Sequence, residues 1–215
     1  VSPKDGLVVV VPVGARVDPA AIVLEKLEWA TRSLARIEER HRELNGGAEA
    51  LLPDLVEMPA FGMRLPIEYR HSSGSAVSAR VRGAMLVVSG DVDDAEACLD
   101  ALRRWLSRTA EAHLKARVRD LGARVGLVPT SVRVSGARTR WGSCSARGTV
   151  SLSRNSVFLP THLLDALVLH ELAHLKVLDH SPRFWACLSQ MDPSASRHRK
   201  QLGGADALVP AWAVV

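Results

Sequence analysis

The segment HELAHLKVLDH, residues 170–180, holds three histidines and one glutamate. His170 and His174 are four positions apart, so on a helix they differ by about 40° around the axis and project from one face. Two imidazoles stacked in that way can ligate a single metal ion. Glu171, one position on, leaves the helix about 100° away and so lies beside such an ion rather than on it. That is the place for a base acting on a metal-bound water, and the pattern therefore points to zinc-dependent hydrolysis.

A hydrolytic zinc takes three protein ligands and leaves its fourth position to water. No glutamate follows Glu171, so the third ligand has to come from His180, His198, Asp179, Asp192 or Asp206. In an unbroken helix His180 would sit about 240° round from His174, out of reach of the ion. Ser181 and Pro182, however, read as the N-cap and first position of a new helix. The first helix should then stop near Leu178, leaving His180 in the link and free to turn back. His180 is the favoured third ligand on this ground, with one zinc expected per chain.

The residues around this segment supply the elements that must hold it. Leu163, Leu164, Leu167, Val168, Leu169, Leu172, Ala173 and Leu175 make the helix apolar nearly all round, so it is expected to be buried. Upstream, a long helical pattern starts at Asp93 and carries Leu99, Leu102, Leu106, His113, Leu114, Val118 and Leu121 on one side, with breaks at Gly122 and Gly126. TSVRVSGA and TVSLSRNSVF read as strands joined by the turn-rich RTRWGSCSARG. The strand near Thr149–Phe158 is expected to be an edge on which an extended peptide could pair. Downstream, SPRFWACLSQM continues as the next helix, with Phe184 and Trp185 packing behind the site.

The N-terminal part is of a different kind. LVVVVPV reads as a buried strand, and the stretch from Asp18 to Gly46 has helix signals at both ends, with Pro19 in the first position. Residues 55–90 carry short β-rich runs separated by proline and glycine, which predicts an antiparallel meander. Three regions follow: a mixed α/β region over 1–92, a catalytic domain over 93–200 and a tail over 201–215.

Composition narrows the class. Hydrophobic residues make up 47% of the 215 and charged residues 24%, which suits a folded chain rather than a disordered one. The longest early apolar run is too short for a membrane span and lacks the flanks of a signal peptide. Three widely spaced cysteines, Cys98, Cys144 and Cys187, argue against a disulfide framework and for a reducing cytoplasm. The net charge of +5 hides an asymmetry, about −5 over residues 1–100 and about +10 over the rest. A basic C-terminal half sustains an alternative reading as a nucleic-acid-associated protein, either a binding module or a protease of the SprT-like kind acting on DNA-linked proteins.

Single residues elsewhere carry less. Cys144 in RWGSC reads as a small structural thiol before it reads as a nucleophile or an extra ligand. Arg138 and Arg140 are candidates for holding an oxyanion or a substrate carboxylate, and equally for a solvated surface. His41, His71, His113, His162 and His198 are read as surface or core residues.

RTRWGSCS, VSLSRNSVFLP and HELAHLKVLDHSPRFW together resemble the signature blocks of the YgjP-like metallopeptidase family. The resemblance runs over about residues 93–195, and only the strand–helix–meander layout agrees further upstream. It implies an α+β, zincin-like core (helix, antiparallel strands, HExxH helix, following helix) behind an N-terminal α/β extension. It implies also a peptide or protein substrate, with His170, His174 and His180 on zinc and Glu171 as catalytic acid/base. The chain departs from the family at SLSRN, where many members have an Asn-Trp-Arg run, so no role of that run is carried over. The 170-to-180 spacing is shared with metzincins, which have glycine where this chain has Val177.

Overall fold

Asp94 starts the longest element. Its carboxylate accepts a hydrogen bond from the Ala97 amide at 2.9 Å and caps helix α1, Ala95–Val125. Gly126 ends the helix in the left-handed region (φ 69°), a conformation that costs glycine nothing. The expected apolar stripe is buried throughout, from Leu99 and Leu102 to Val118 and Leu121. His113 is half-buried and packs its ring on Phe61 at 4.7 Å.

In the computed structural model, the residues described are 52–74, 76–137 and 140–214. The strand and helix expected before residue 50 lie outside them, as does Arg138. Among the described residues the architecture is α+β, with four α-helices and two small sheets. No helix among them is long and apolar enough to cross a membrane.

The first sheet comprises β1 (Leu55–Met58), β2 (Met63–His71), β3 (Ser78–Arg82) and β4 (Met85–Gly90), in the order β1-β2-β4-β3. It corrects the expected meander, because β2 and β4 run parallel, with Ile67 opposite Leu86, while the outer pairs are antiparallel. The burial pattern gives the reason. Leu86, Val87 and Val88 form an unbroken buried run suited to a central strand. β3 carries exposed Arg80 and Arg82, which suit an edge. Val56, Met58, Ala79, Leu86 and Val88 join the Leu99–Leu106 stretch of α1 in one core.

The second sheet has three strands, β5 (Ser131–Ser135), β6 (Gly142–Cys144) and β7 (Thr149–Ser153), in the order β5-β7-β6. β7 is therefore central, parallel to β5 and antiparallel to β6, and the expectation that it forms an edge is corrected. It also ends at Ser153 instead of running to Phe158. Ser153 Oγ donates to Ala137 O at 2.7 Å and accepts from Asn155 N at 3.3 Å, and residues Arg154–Phe158 turn into a 3₁₀ segment.

Three further helices follow: α2 (Thr161–Ala173), α3 (Pro182–Met191) and α4 (Ala195–Leu202). α2 is buried along most of its length, as its apolar composition predicts. It is tied to α1 by Arg117, whose Nε and Nη2 donate to the two Asp165 carboxylate oxygens at 2.6 and 2.5 Å. The C-terminal segment returns to α1, where Trp212 O accepts from Arg103 Nε at 2.9 Å.

Candidate metal centre

α2 gives out where the histidines need it to. Its last helical residue is Ala173, short of the expected Leu178, and His174 occupies the C-cap. His174 Nδ1 lies 2.9 Å from the Val177 carbonyl. A carbonyl only accepts, so Nδ1 carries the proton and Nε2 keeps its lone pair. A backbone partner of this kind fixes the tautomer of a metal-binding imidazole.

Residues 174–181 then form a non-helical link, and α3 begins at Pro182 after the N-cap Ser181, as the sequence predicts. Within the link, Asp179 Oδ1 accepts from the Ser181 amide at 3.1 Å. The turn brings His180 back over α2, with Nε2 3.1 Å from His170 Nε2. One ligand atom from each of His170, His174 and His180 lies within 4.8 Å of the other two. Tetrahedral zinc with Zn–N distances of about 2.0–2.1 Å needs nitrogens about 3.3 Å apart, and the His170–His180 separation of 3.1 Å is near that value. It is the only cluster of its kind found among the described residues. His198, Asp179, Asp192 and Asp206 are not in it.

The shell behind the imidazoles is aromatic. Phe184, fully buried, stacks on His174 at 4.4 Å and meets His170 and His180 edge-on at 4.9 and 4.8 Å. Trp185 donates its indole N–H to His180 O at 3.1 Å, which holds the link in place. Burial, then the neighbouring His174 and His180, push the His170 imidazole down to about 4. Burial, then His174 and Arg199, lower the His180 imidazole as well. Both rings are therefore neutral near pH 7 and present lone pairs to a cation.

Glu171 lies against β6 of the second sheet at Gly142. It is 4% exposed. Its Oε2 is buried without a hydrogen-bond partner among the described residues. Burial raises its carboxyl to about 7, against the opposing pull of Arg140. A buried acceptor with nothing to accept from is costly unless a ligand or water completes it. A neutral nitrogen donor set beside such a carboxylate is what a hydrolytic zinc requires.

Two contacts here were not anticipated. Gly142 in β6 faces Glu171, and a Cβ on it would come within 2.7 Å of Glu171 Oε1. A glycine inside a strand was the available signal, since it marks close approach by another group. His198 Nδ1 pairs with the buried Asp192 at 2.7 Å, a contact between residues with no motif to join them. Cys144, half-buried in β6, is a free thiol whose pKa is raised by burial and then by Glu171, which disfavours the thiolate. Arg140 is exposed.

A family model described as YgjP-like, metallopeptidase domain, matches residues 1–204, which takes in the N-terminal half as well. No curated protein matches the chain. A solved structure described as the crystal structure of the metallopeptidase zymogen of Pyrococcus abyssi abylysin aligns at 22% identity, covering 41% of this chain and 90% of that one, with a TM-score of 0.38.

Proposed function

The chain belongs to the YgjP-like metallopeptidase family, and from that premise we propose that it is a zincin-like, single-zinc hydrolase of peptide bonds. His170, His174 and His180 hold the metal, with Nε2 of His174 as its ligand atom because Nδ1 is committed to Val177 O. Zinc held by these residues would supply Lewis acidity toward a water and a substrate carbonyl. Glu171 is the proton carrier. With its carboxyl raised to about 7 it can take a proton from the attacking water and hand it to the leaving amine at neutral pH. The observation that carries this reading is the pairing of three convergent imidazoles with a buried carboxylate that has a free oxygen beside them.

The substrate is a peptide or protein in extended form. β6 forms an edge of its sheet and has Glu171 against it at Gly142, so a substrate strand can pair there. Three free cysteines, Cys98, Cys144 and Cys187, suit a reducing compartment such as the cytoplasm. The family match favours this reading over a nucleic-acid module.

The test uses Glu171→Gln, which keeps size and polarity but removes the base. Assayed on unfolded proteins and a peptide library, the variant should retain its zinc and lose roughly 10²–10⁴-fold in hydrolysis. Undiminished hydrolysis by the zinc-replete variant would rule the mechanism out.

A further inference from the structure

Arg199 is an exposed residue of α4, yet its guanidinium is held in one place. Its Cζ lies 5.0 Å from the centre of the Trp185 ring, a cation over an aromatic face. Trp185 is itself tied down, because its indole N–H bonds His180 O. The same ring stands 5.9 Å from that of His180 and 6.3 Å from that of His170. A positive charge is therefore fixed beside the histidine cluster. We propose that Arg199 receives a carboxylate of the substrate, so that the protein selects peptides carrying one near the bond being cut. The proposal rests on the peptidase reading above and adds to it a charge preference.

The first argument is that the guanidinium has no acid of its own. Among the described residues no carboxylate pairs with Arg199. The acids that share a cleft wall with it and His170 are Glu171 and Asp192. Asp192 is committed within the fold: Oδ2 meets His198 Nδ1 at 2.7 Å, and Oδ1 accepts from Ser194 N at 3.0 Å. Glu171 is buried against Gly142. The sequence of α4, ASRHRKQL, supplies further cations and no acid. A planar guanidinium lying over a ring keeps its edge donors free, and those donors match a carboxylate two bonds at a time.

The second argument is the charge of the neighbourhood. Burial, then the neighbouring histidines, then Arg199 lower the His170 and His180 imidazoles, so the guanidinium is within electrostatic reach of both rings. Imidazole ligands leave the charge of a bound zinc uncompensated, and Arg199 adds a second cation to the same cleft. Such a cleft favours an anion. A peptide offers a carboxylate, at its C-terminus or on an aspartate or glutamate side chain. Most exposed arginines are solvated charges of little consequence. The ring that fixes this one, and the metal ligands next to it, set it apart.

Two measurements test the proposal, and the first needs no turnover. It follows the Trp185 indole and Arg199 Nε–H NMR signals of the full-length, zinc-loaded protein during titration. The probes are N-acetyl-glycylglycine, its C-terminal amide, and a blocked dipeptide amide bearing one aspartate. Saturable shifts with an acid and none with the neutral amide support the proposal. Whichever acid moves the signals assigns the carboxylate to a chain end or to a side chain. The Trp185 shift should vanish in Arg199→Gln and weaken in Arg199→Lys, which keeps the charge but loses the fork. The second measurement cuts a peptide library, in free-acid and amidated forms and with acidic residues at each position. Carboxylate-bearing peptides should be cut at least about 10-fold faster than their neutral counterparts, and Arg199→Gln should shrink that ratio by about 10-fold. Carboxylate binding with no peptide cut would defeat the peptidase reading and leave the role of Arg199 standing. Signals that answer acid and amide alike, a Trp185 shift that survives Arg199→Gln because the carboxylate sits on zinc alone, or cleavage indifferent to carboxylates would overturn it.

Discussion

Glu171 and Gly142 fit together so closely that a single methyl group would part them. A Cβ at position 142 would lie 2.7 Å from Glu171 Oε1 and 2.9 Å from Cγ. The carboxylate thus owes its position to a strand with no side chain at that point. Gly142→Ala should displace the carboxylate by a fraction of an ångström to an ångström, lowering kcat by roughly 10- to 100-fold. Zinc content should stay at the wild-type level, because the group a Cβ at position 142 meets first is Glu171, not a histidine. Steady-state kinetics with parallel metal analysis checks both, and an unchanged kcat would show that the contact does not position the base.

The metal-free protein should show two opposing pH effects. His170 titrates at about 4 in the fold against 6.5 normally, so between those values the unfolded chain binds a proton that the folded one refuses. Its effect is a loss of stability as pH falls through that window. Glu171 titrates at about 7 against 4.5, so there the folded chain holds the extra proton, and stability is lost as pH rises. Removing the second effect with Glu171→Gln should make the stability of the metal-free protein climb more steeply with pH between about 4.5 and 6.5. Denaturant midpoints measured across that range would test this, and curves parallel to the wild type would contradict it.

Arg117 and Asp165 join the long helix to the histidine-bearing one with a bidentate pair, their side chains 28% and 24% exposed. The geometry is favourable, but partial exposure screens it. Asp165→Ala should cost about 1–2 kcal/mol of stability, seen as a lower Tm, with zinc stoichiometry intact. An unchanged Tm, or lost zinc, would show that the pair has been assigned the wrong role.

The site was largely legible in the sequence because its geometry is local. His170, Glu171 and His174 follow from the helical repeat alone, and Pro182 announces the break that lets His180 return. What the sequence left out depends on distant partners. Gly142 meets Glu171 across 29 positions. The pairing of Asp192 with His198 and the capture of His180 O by Trp185 belong to the packing of the later helices. The same limit explains the strands. Short β-rich runs located β2, β4 and β7, but not that β4 pairs parallel to β2 or that β7 is central, since those depend on which edge the chain crosses to. The early end of α2 at Ala173 has a short-range cause, the His174–Val177 bond, that no residue preference reports.

The central claim is that three imidazoles and no other side chain hold one zinc. X-ray absorption at the zinc edge of the purified, zinc-loaded protein tests it most directly. The account predicts one zinc per chain, with three imidazole nitrogens at about 2.0–2.1 Å and one further light atom from solvent. A sulfur scatterer at about 2.3 Å, which would bring in Cys144, or four protein ligands closing the site, or no stoichiometric metal at all, would contradict it.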